Sequence, residues 1–168
     1  IKEMALTDQK VAVVGLGSMG YGMAASLARA GFAVTGCDAR PDAVQRFAAE
    51  HGRGATAPAE AASGAAVVVT VVVNAAQTRE VLFGPNGAAA KAERGGVLIS
   101  CATMSPKDAE ALAAEAEGRG LLYLDAPISG GAARAAEGKL TVLASGSEAA
   151  FAKAGPVLDA IAAKLYRL

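Results

Sequence analysis

The 168-residue sequence has no apolar run long enough to cross a membrane, and it has no net charge. Its longest apolar run, residues 65–73, is interrupted by Thr70 and falls short of the roughly 18 residues that a membrane-spanning helix needs. Its 16 basic residues balance 16 acidic ones. Nucleic acid is therefore not expected as the main partner, because phosphate binding requires a net basic face. The first residues carry no signal-peptide pattern, and Met4 is a candidate start of translation.

Cysteine and histidine are scarce in this sequence. Two cysteines, Cys37 and Cys101, are too few for a disulfide framework or a metal site, so no metal is expected and a cytoplasmic location is predicted. Cys37 is expected in the core, and Cys101 has no accompanying general base that would make it a nucleophile. The one histidine, His51, lies beside Gly52 at a predicted helix end, where a structural role is favoured over catalysis.

The sequence does contain a regular alternation of short apolar runs and alanine-rich helical stretches, over a length typical of one domain. This rhythm predicts a single doubly wound α/β domain over residues 1–168, a Rossmann fold whose mostly parallel sheet has helices on both faces. The most apolar strand is expected at the centre of the sheet. Strands are predicted at residues 10–14, 32–37, 66–73, 96–101, 121–124 and 140–144. Helices are predicted at residues 18–30, 41–51, 77–83 and 105–117, with a short one from 58 and a last one from 156 to the end.

Four loops of this predicted fold should meet at one edge of the sheet. They follow successive strands and span residues 15–20, 38–40, 74–77 and 102–105. In open α/β sheets, ligands bind at the carboxyl ends of the strands, near the point where the strand order reverses. We therefore expect the functional site to be built from these loops.

The first of these loops carries a dinucleotide-binding fingerprint, Gly15-Leu16-Gly17-Ser18-Met19-Gly20. It follows a predicted strand and opens a helix, which is the context that the G-x-G-x-x-G motif requires. Gly15 permits the tight turn, Gly17 lets the backbone approach a pyrophosphate, and Gly20 allows the helix to pack closely on the strand. The N–H groups at the helix start would then face the phosphates. The alternative is an ordinary glycine-rich turn.

The second loop, Asp38-Ala39-Arg40, predicts the choice of cofactor. Asp38 lies close to the spacing expected of the acid that binds the adenosine ribose hydroxyls. A carboxylate there also repels a 2′-phosphate, so NAD is favoured and NADP is less expected. Arg40 leaves an alternative open, because an arginine at this place can pair with that phosphate, or it can simply be solvated. Asp38 could also cap the helix that begins at Pro41.

A second glycine motif, Asp125-Ala126-Pro127-Ile128-Ser129-Gly130-Gly131, follows the predicted strand at 121–124. A Ser-Gly-Gly turn before a helix offers a hydroxyl and bare backbone N–H groups, which suit a small carboxylate. By composition alone, an ordinary turn is an equal alternative.

With both motifs in view, the sequence resembles the β-hydroxyacid dehydrogenases, also called the 3-hydroxyisobutyrate dehydrogenase family. The resemblance covers essentially the whole chain and rests on residues 15–20, on Met23-Ala24, on residues 125–131 and on Gly138-Lys139-Leu140-Thr141. It implies that the first motif binds the dinucleotide. It also implies that Ser129, Gly130 and Gly131 bind the carboxylate of the substrate.

Two segments depart from the commonest pattern of that family. Val73-Asn74-Ala75-Ala76-Gln77 stands where a proline usually follows the central strand, and Ser100-Cys101-Ala102-Thr103 replaces an Asp-x-Ser-Thr run. Thr103 keeps the family hydroxyl near the nicotinamide, and Val73 and Asn74 become candidate cofactor contacts, although Asn74 could equally form a turn. Within the family, this combination is most similar to L-threonate dehydrogenases.

The resemblance implies hydride transfer between NAD and a small 3-hydroxy acid of the L-threonate or 3-hydroxyisobutyrate type. In the family, a lysine on a helical second domain does the acid/base work. Its counterpart is expected beyond Leu168, so no catalytic residue is assigned within this chain and the chain alone is expected to be inactive. A homo-oligomer is expected for the full-length protein. The alternative is a non-catalytic dinucleotide-sensing or binding module.

Overall fold

The computed structural model describes residues 9–168, so the candidate start Met4 lies outside the described residues. This part of the chain folds into a nine-stranded sheet with helices on both faces. The strands are β1 (Lys10–Val14), β2 (Ala33–Cys37), β3 (Gly54–Ala55), β4 (Val67–Thr70), β5 (Val97–Ser100), β6 (Leu122–Asp125), β7 (Ile128–Ser129), β8 (Leu140–Gly146) and β9 (Ala162–Arg167). The helices are α1 (Gly20–Arg29), α2 (Pro41–His51), α3 (Pro58–Ala61), α4 (Ala75–Phe83), α5 (Pro106–Gly118), α6 (Gly131–Glu137) and α7 (Glu148–Ile161).

The strand order is that of a doubly wound fold, which confirms the predicted class. The sheet runs β3-β2-β1-β4-β5-β6-β8-β7, and β9 pairs with β8. The first six strands of this order are parallel, whereas β8 runs antiparallel to β6 and β7 and parallel to β9. Strand β4 lies between β1 and β5 and is buried throughout, as its uninterrupted valines predicted.

The two faces of the sheet bury separate apolar clusters. Successive residues of a strand point to opposite faces, so Val13 of β1 packs with α1 and α7 while Val14 packs with α4 and α5. Met23 and Leu27 fill the first cluster from α1, and Leu82 contributes to the second from α4. The face with α1 matters most for the site, because α1 begins at the glycine loop. None of the helices in residues 9–168 has the length and apolar character that crossing a bilayer requires.

The predicted last helix, from Pro156 to the end of the chain, exists, but both of its bounds are wrong. Helix α7 instead begins at Glu148, contains Pro156 in its interior and ends at Ile161. The chain then continues as β9, which pairs with β8 and extends to the hydrogen bond from Leu168 N–H to the Ala144 carbonyl at 2.8 Å. Strand β9 forms its hydrogen bonds with β8, a strand about twenty residues earlier in the chain. The local sequence pattern therefore did not reveal β9.

Three further elements were not predicted, and one strand was predicted too long. The two-residue strands β3 and β7 give no periodic signal, and the short helix α6 lies within the second glycine motif and the residues after it. The central strand ends at Thr70 rather than at Val73, whose side chain is 76% exposed. Val71, Val72 and Val73 continue the apolar run after the chain has left the sheet at Thr70, and for this reason the strand was predicted too long.

Ser147 explains where α7 begins, and this contact can be measured. Its hydroxyl accepts the Ala150 N–H at 3.1 Å, as an N-cap side chain does. We expect Ser147→Ala to lower the free energy of unfolding by about 1 kcal/mol, measured by urea denaturation. Ser63→Ala, at an exposed turn after α3, is the control and should change the free energy of unfolding by less than about 0.5 kcal/mol. Equal effects of the two substitutions would contradict the assigned cap.

Candidate functional site

The carboxyl ends of the parallel strands form one continuous edge, as the sequence predicted. Beyond the last paired residues, the hydrogen-bond ladder continues by one bond into each loop. These bonds run from Gly15 N to Cys37 O (2.8 Å), Val71 N to Val14 O (2.8 Å), Cys101 N to Thr70 O (3.0 Å) and Ala126 N to Ser100 O (2.7 Å). The loops that follow β1, β4, β5 and β6 therefore leave the sheet side by side, and the loop at Asp38 begins next to Gly15 at the end of β2.

Two glycines of the first loop are required by close packing of the backbone. Gly15 has φ +108°, and a Cβ on it would lie 2.2 Å from the Val71 carbonyl oxygen. A Cβ on Gly20 would lie 1.8 Å from the Gly15 carbonyl oxygen. Both positions exclude any side chain, because real Cβ atoms do not approach a carbonyl oxygen so closely.

Gly17 is different, since a Cβ on it would have nothing within 4 Å. Helix α1 begins three residues later, with Met19 as an N-cap that makes no side-chain capping bond. Among the described residues, no carbonyl accepts the N–H groups of Gly17, Ser18 or Met19. The loop thus presents bare backbone donors at the positive end of a ten-residue helix, an arrangement that suits an anionic group.

Asp38 joins the second loop to the first. Its Oδ2 accepts the Leu16 N–H at 2.8 Å, and its Oδ1 accepts the Arg40 N–H at 2.9 Å and the Arg40 Nε–H at 3.1 Å. Burial opposes ionisation of this carboxyl, but the hydrogen bonds from Arg40 and Leu16 outweigh it and lower the pKa of Asp38. The carboxylate is therefore charged near neutral pH and stands beside the glycine loop.

Arg40 is bound rather than freely solvated. Besides its contact with Asp38, its Nη2 donates to the Leu16 carbonyl at 3.2 Å. Both backbone polar groups of Leu16 are thus engaged by side chains of the second loop. The Arg40 side chain remains 59% exposed, so part of it is open to a ligand.

Two cavities border the glycine loop, one on each side. A cavity of about 400 Å³ is lined by Gly15, Asp38, Ala39, Val72 and Gln77, together with Thr56, Pro58 and Pro85. A second, of about 420 Å³, is lined by Gly17, Ser18, Tyr21, Arg40, Arg46 and Ala136. The first lies between the loops that follow β1, β2 and β4, where the predicted site was expected.

The loops after β4 and β5 place their predicted residues at the surface. Val73, Asn74 and Thr103 are exposed and lie outside the lining of both cavities. Asn74 caps α4, because its Oδ1 accepts the Gln77 N–H at 2.9 Å, while Gln77 Oε1 accepts the Val73 N–H at 3.0 Å. Asn74 therefore forms a turn at the start of α4, which was one of its two interpretations. The capping bond uses its Oδ1 and not its amide N–H groups.

The second glycine motif forms a turn between β7 and α6. Ser129 ends β7, is exposed and pairs with Thr141 of β8. Gly130 and Gly131 follow with φ +135° and φ +81°, conformations that favour glycine. The turn itself thus requires both glycines, and a carboxylate-binding role is an additional hypothesis about the same backbone.

The residues set aside as structural have structural roles in the fold. Burial and the charge of Asp125 raise the pKa of Cys101 to about 12, and burial raises that of Cys37 to about 12, so neither is a thiolate at neutral pH. His51 ends α2 and stacks on Phe47 with ring centroids 5.0 Å apart. Residues 9–168 contain no group of three or more His, Cys, Asp and Glu side chains that could hold a metal ion.

Tyr21 of α1 links this helix to α2. Its ring packs edge-on against Phe47 of α2, with centroids 5.5 Å apart, and its hydroxyl donates to Glu50. Burial and the contact with Glu50 raise the pKa of Tyr21 to about 12, which does not suit a catalytic acid or base near neutral pH.

The sequence interpretation missed part of the lining of the first cavity. Thr56 and Pro58 reach it because the short strand β3 carries the chain back to the edge of the sheet, and Pro85 reaches it from the turn after α4. Pro58 was recognised only as a helix start. A two-residue strand has no pattern that would have indicated its neighbour in the sheet.

The order of the parallel strands and the open glycine loop place the chain in the class of dinucleotide-binding α/β domains. Residues 10–168 match the family described as the NAD binding domain of 6-phosphogluconate dehydrogenase, and the chain belongs to that family.

Particular relatives within this class confirm the resemblance that the motifs indicated. The chain is 53% identical over 161 residues to L-threonate dehydrogenase of Cupriavidus necator, covering 96% of this chain and 54% of the relative. A solved structure of 3-hydroxyisobutyrate dehydrogenase from Salmonella typhimurium shares 46% identity and a TM-score of 0.91, covering 95% of this chain and 56% of that one. The Mycobacterium tuberculosis 3-hydroxyisobutyrate dehydrogenase with L-serine shares 36% identity and a TM-score of 0.87, covering 95% and 54%. The chain spans about half the length of these relatives.

The contrast between Gly17 and Gly20 can be tested with two variants. Gly17→Val should leave the free energy of unfolding almost unchanged and remove measurable NAD⁺ binding, because its side chain would project from the open loop. Gly20→Ala should lower the free energy of unfolding by about 3 kcal/mol, because its methyl group meets the Gly15 carbonyl. Urea denaturation and calorimetric titration with NAD⁺ measure the two effects. Unchanged NAD⁺ affinity in Gly17→Val would show that the loop is only a turn.

Proposed function

We propose that this chain is the cofactor-binding part of an NAD-dependent dehydrogenase that oxidises a small 3-hydroxy acid. The observation that carries the proposal is the open backbone at Gly17, with bare N–H groups at the start of α1 and the Asp38 carboxylate beside it. In this proposal the pyrophosphate is bound by residues 15–20. The adenosine lies along the cavity of about 400 Å³ that Asp38, Ala39 and Val72 line.

The preference for NAD over NADP rests on Asp38. The carboxylate is charged and held in place by three hydrogen bonds, and a lone pair of Oδ2 remains to accept a hydrogen bond from a ribose hydroxyl. A 2′-phosphate at the same position would be repelled by this charge. Arg40 offsets the repulsion only in part, because its Nε and Nη2 already donate to Asp38 and Leu16.

The nicotinamide end of the cofactor is assigned to the loops after β4 and β5. Val73, Asn74 and Thr103 stand exposed at the carboxyl edge of the central strands, next to the glycine loop in the order of the sheet. The exposed Val73 side chain can pack on the ribose and ring, and the Asn74 amide and the Thr103 hydroxyl can donate to their polar groups. A bound NAD supplies the hydride acceptor.

Ser129, Gly130 and Gly131 are proposed to bind the carboxylate of the hydroxy acid. The Ser129 hydroxyl is exposed at the end of β7. A Cβ on Gly131 would have nothing within 4 Å, whereas a Cβ on Gly130 would lie 3.1 Å from Arg134 Cδ, so the open backbone of the turn is at Gly131. Positioning the carboxylate here would hold the carbinol carbon against the nicotinamide. The proton of the carbinol hydroxyl needs a base, which we assign to the lysine expected in the remainder of the full-length protein.

Similarity favours L-threonate as the substrate over 3-hydroxyisobutyrate. The relative named L-threonate dehydrogenase is 53% identical to this chain. The relatives named 3-hydroxyisobutyrate dehydrogenase are 46% identical in Salmonella typhimurium and 34% identical in Pseudomonas aeruginosa. A non-catalytic dinucleotide sensor is disfavoured, because these relatives are named as dehydrogenases. The cytoplasmic location and the homo-oligomeric state stay predictions.

The cofactor preference is tested by titrating the protein with NAD⁺ and NADP⁺. We expect NAD⁺ to bind more tightly. Asp38→Ala should weaken NAD⁺ binding at least about tenfold, because a hydrogen bond to a charged group is lost. It should also narrow the difference in affinity between NAD⁺ and NADP⁺. Arg40→Ala is the matched control in the same loop and should keep the preference for NAD⁺. Tighter binding of NADP⁺ by the unmodified protein would contradict the proposal. It would indicate instead that Arg40 binds the 2′-phosphate of NADP⁺.

The substrate assignment is tested in the full-length enzyme with L-threonate and 3-hydroxyisobutyrate. Ser129→Ala should raise KM for the hydroxy acid about tenfold, since it removes one hydrogen bond to a carboxylate, and should leave NAD⁺ affinity nearly unchanged. Steady-state kinetics and NAD⁺ titration give the two values. A loss confined to NAD⁺ binding would refute the role of Ser129.

A further inference from the structure

Helices α1 and α6 touch through their backbones, although they belong to different motifs. Gly22 lies in the first turn of α1, and a Cβ on it would come within 2.6 Å of the Ala136 N and 2.9 Å of the Ala136 Cα. Such an approach requires glycine, because the opposing atoms are backbone and cannot rotate away. The helix that follows the second glycine motif is therefore packed directly on the helix that follows the first.

Two side chains of α1 hydrogen-bond to the last turn of α6. Ser26 is 5% exposed. Its hydroxyl shares one proton between two acceptors, the Ala135 carbonyl at 2.9 Å and the Ala136 carbonyl at 3.0 Å. Arg29 Nη2 donates to the same Ala136 carbonyl and, at 3.1 Å, to the Ser26 Oγ. The last carbonyls of a helix have no partner within it, and here α1 provides one.

Helix α6 depends on these contacts because it is short. Its seven residues form fewer turns than an isolated helix needs for stability. Its C-terminal end is closed by Gly138 at φ +70° and by a 2.9 Å bond from Lys139 N to the Arg134 carbonyl. A Cβ on Gly138 would lie 2.5 Å from the Ala160 carbonyl oxygen, so α7 confines the same end.

The start of α6 lies close to the glycine loop. The cavity of about 420 Å³ is bordered by Gly17 and Ser18 on one side and by Ala132 and Ala136 of α6 on the other. The turn of residues 129–131 leads directly into α6, so its distance from the glycine loop depends on how α6 sits against α1.

We propose that Ser26 and Arg29 are positioning residues that hold the Ser129–Gly131 turn at a set distance from the dinucleotide-binding loop. This inference rests on the proposed function, in which the turn binds the hydroxy acid and the loop binds NAD. Neither side chain touches a ligand. They act through the Ala135 and Ala136 carbonyls, and they make the substrate turn and α1 move as one unit.

The first experiment needs no ligand and measures hydrogen exchange of the backbone amides in residues 131–139. Ser26→Ala and Arg29→Met should speed their exchange about tenfold, because each removes a hydrogen bond to the last carbonyls of α6. Arg29→Lys keeps a donor and should restore much of the protection. Ser147→Ala is the control, since it removes a helix cap of similar strength in α7 and leaves the α1–α6 contact intact. Equal exchange of residues 131–139 in Ser26→Ala and the unmodified protein would overturn the proposal.

The second experiment uses the full-length enzyme with NAD⁺ and the hydroxy acid. Ser26→Ala and Arg29→Met should raise KM for the hydroxy acid about three- to tenfold, with kcat and NAD⁺ affinity changed by less than about twofold. Arg29→Lys should lie close to the unmodified enzyme. Ser147→Ala shows how far a general loss of stability changes the kinetic constants. The same KM, kcat and NAD⁺ affinity in Ser26→Ala and Ser147→Ala would overturn the positioning role.

The two proposals fail in different ways. An unmodified enzyme that neither binds NAD⁺ nor oxidises a hydroxy acid contradicts the proposed function, and the exchange of residues 131–139 still tests whether Ser26 and Arg29 hold α6. An active enzyme whose hydroxy-acid KM is the same in Ser26→Ala contradicts only the positioning role.

Discussion

The site depends on one close contact between backbones, where the first turn of α1 packs against the glycine loop. A Cβ on Gly20 would lie 1.8 Å from the Gly15 carbonyl oxygen, and one on Gly15 would lie 2.2 Å from the Val71 carbonyl oxygen. Only glycine lets the helix begin this close to the ends of β1 and β4. If α1 were displaced by the width of a methyl group, its unpaired N–H groups would no longer lie over the edge of the sheet, where a dinucleotide binds in folds of this class.

The neighbouring loop sets the shape of the glycine loop through hydrogen bonds. The Leu16 N–H is accepted by Asp38, and the Leu16 carbonyl accepts from Arg40. The residues proposed to discriminate between cofactors are therefore also residues that hold the loop. Two donors of Arg40 are engaged in these contacts, one by Asp38 and one by the Leu16 carbonyl. The hydrogen bonds from Arg40 and Leu16 also lower the pKa of Asp38 and keep it ionised, because they stabilise the carboxylate.

Helix α1 connects the two glycine motifs, which lie far apart in the sequence. Its N-terminal end presents the loop of residues 15–20, and its last turn holds α6 through Ser26 and Arg29. Ser26 and Ala135 are separated by 109 residues. A short helix with few internal hydrogen bonds takes its position from the surface on which it packs. One helix therefore supports both the proposed cofactor loop and the proposed substrate turn.

By itself, the sequence determined the elements whose signals are local. The uninterrupted valines of β4 indicated a central strand, the glycine motif at a strand–helix junction indicated α1, and Asp38 was correctly placed after β2. Only the tertiary structure decided that residues 162–167 form β9 instead of continuing a helix, and that Ser26 bonds to α6. Each of these outcomes depends on hydrogen-bond partners that the backbone fold supplies. A periodic pattern of apolar residues shows which face of a segment is buried, but it does not show which partner will satisfy its polar groups.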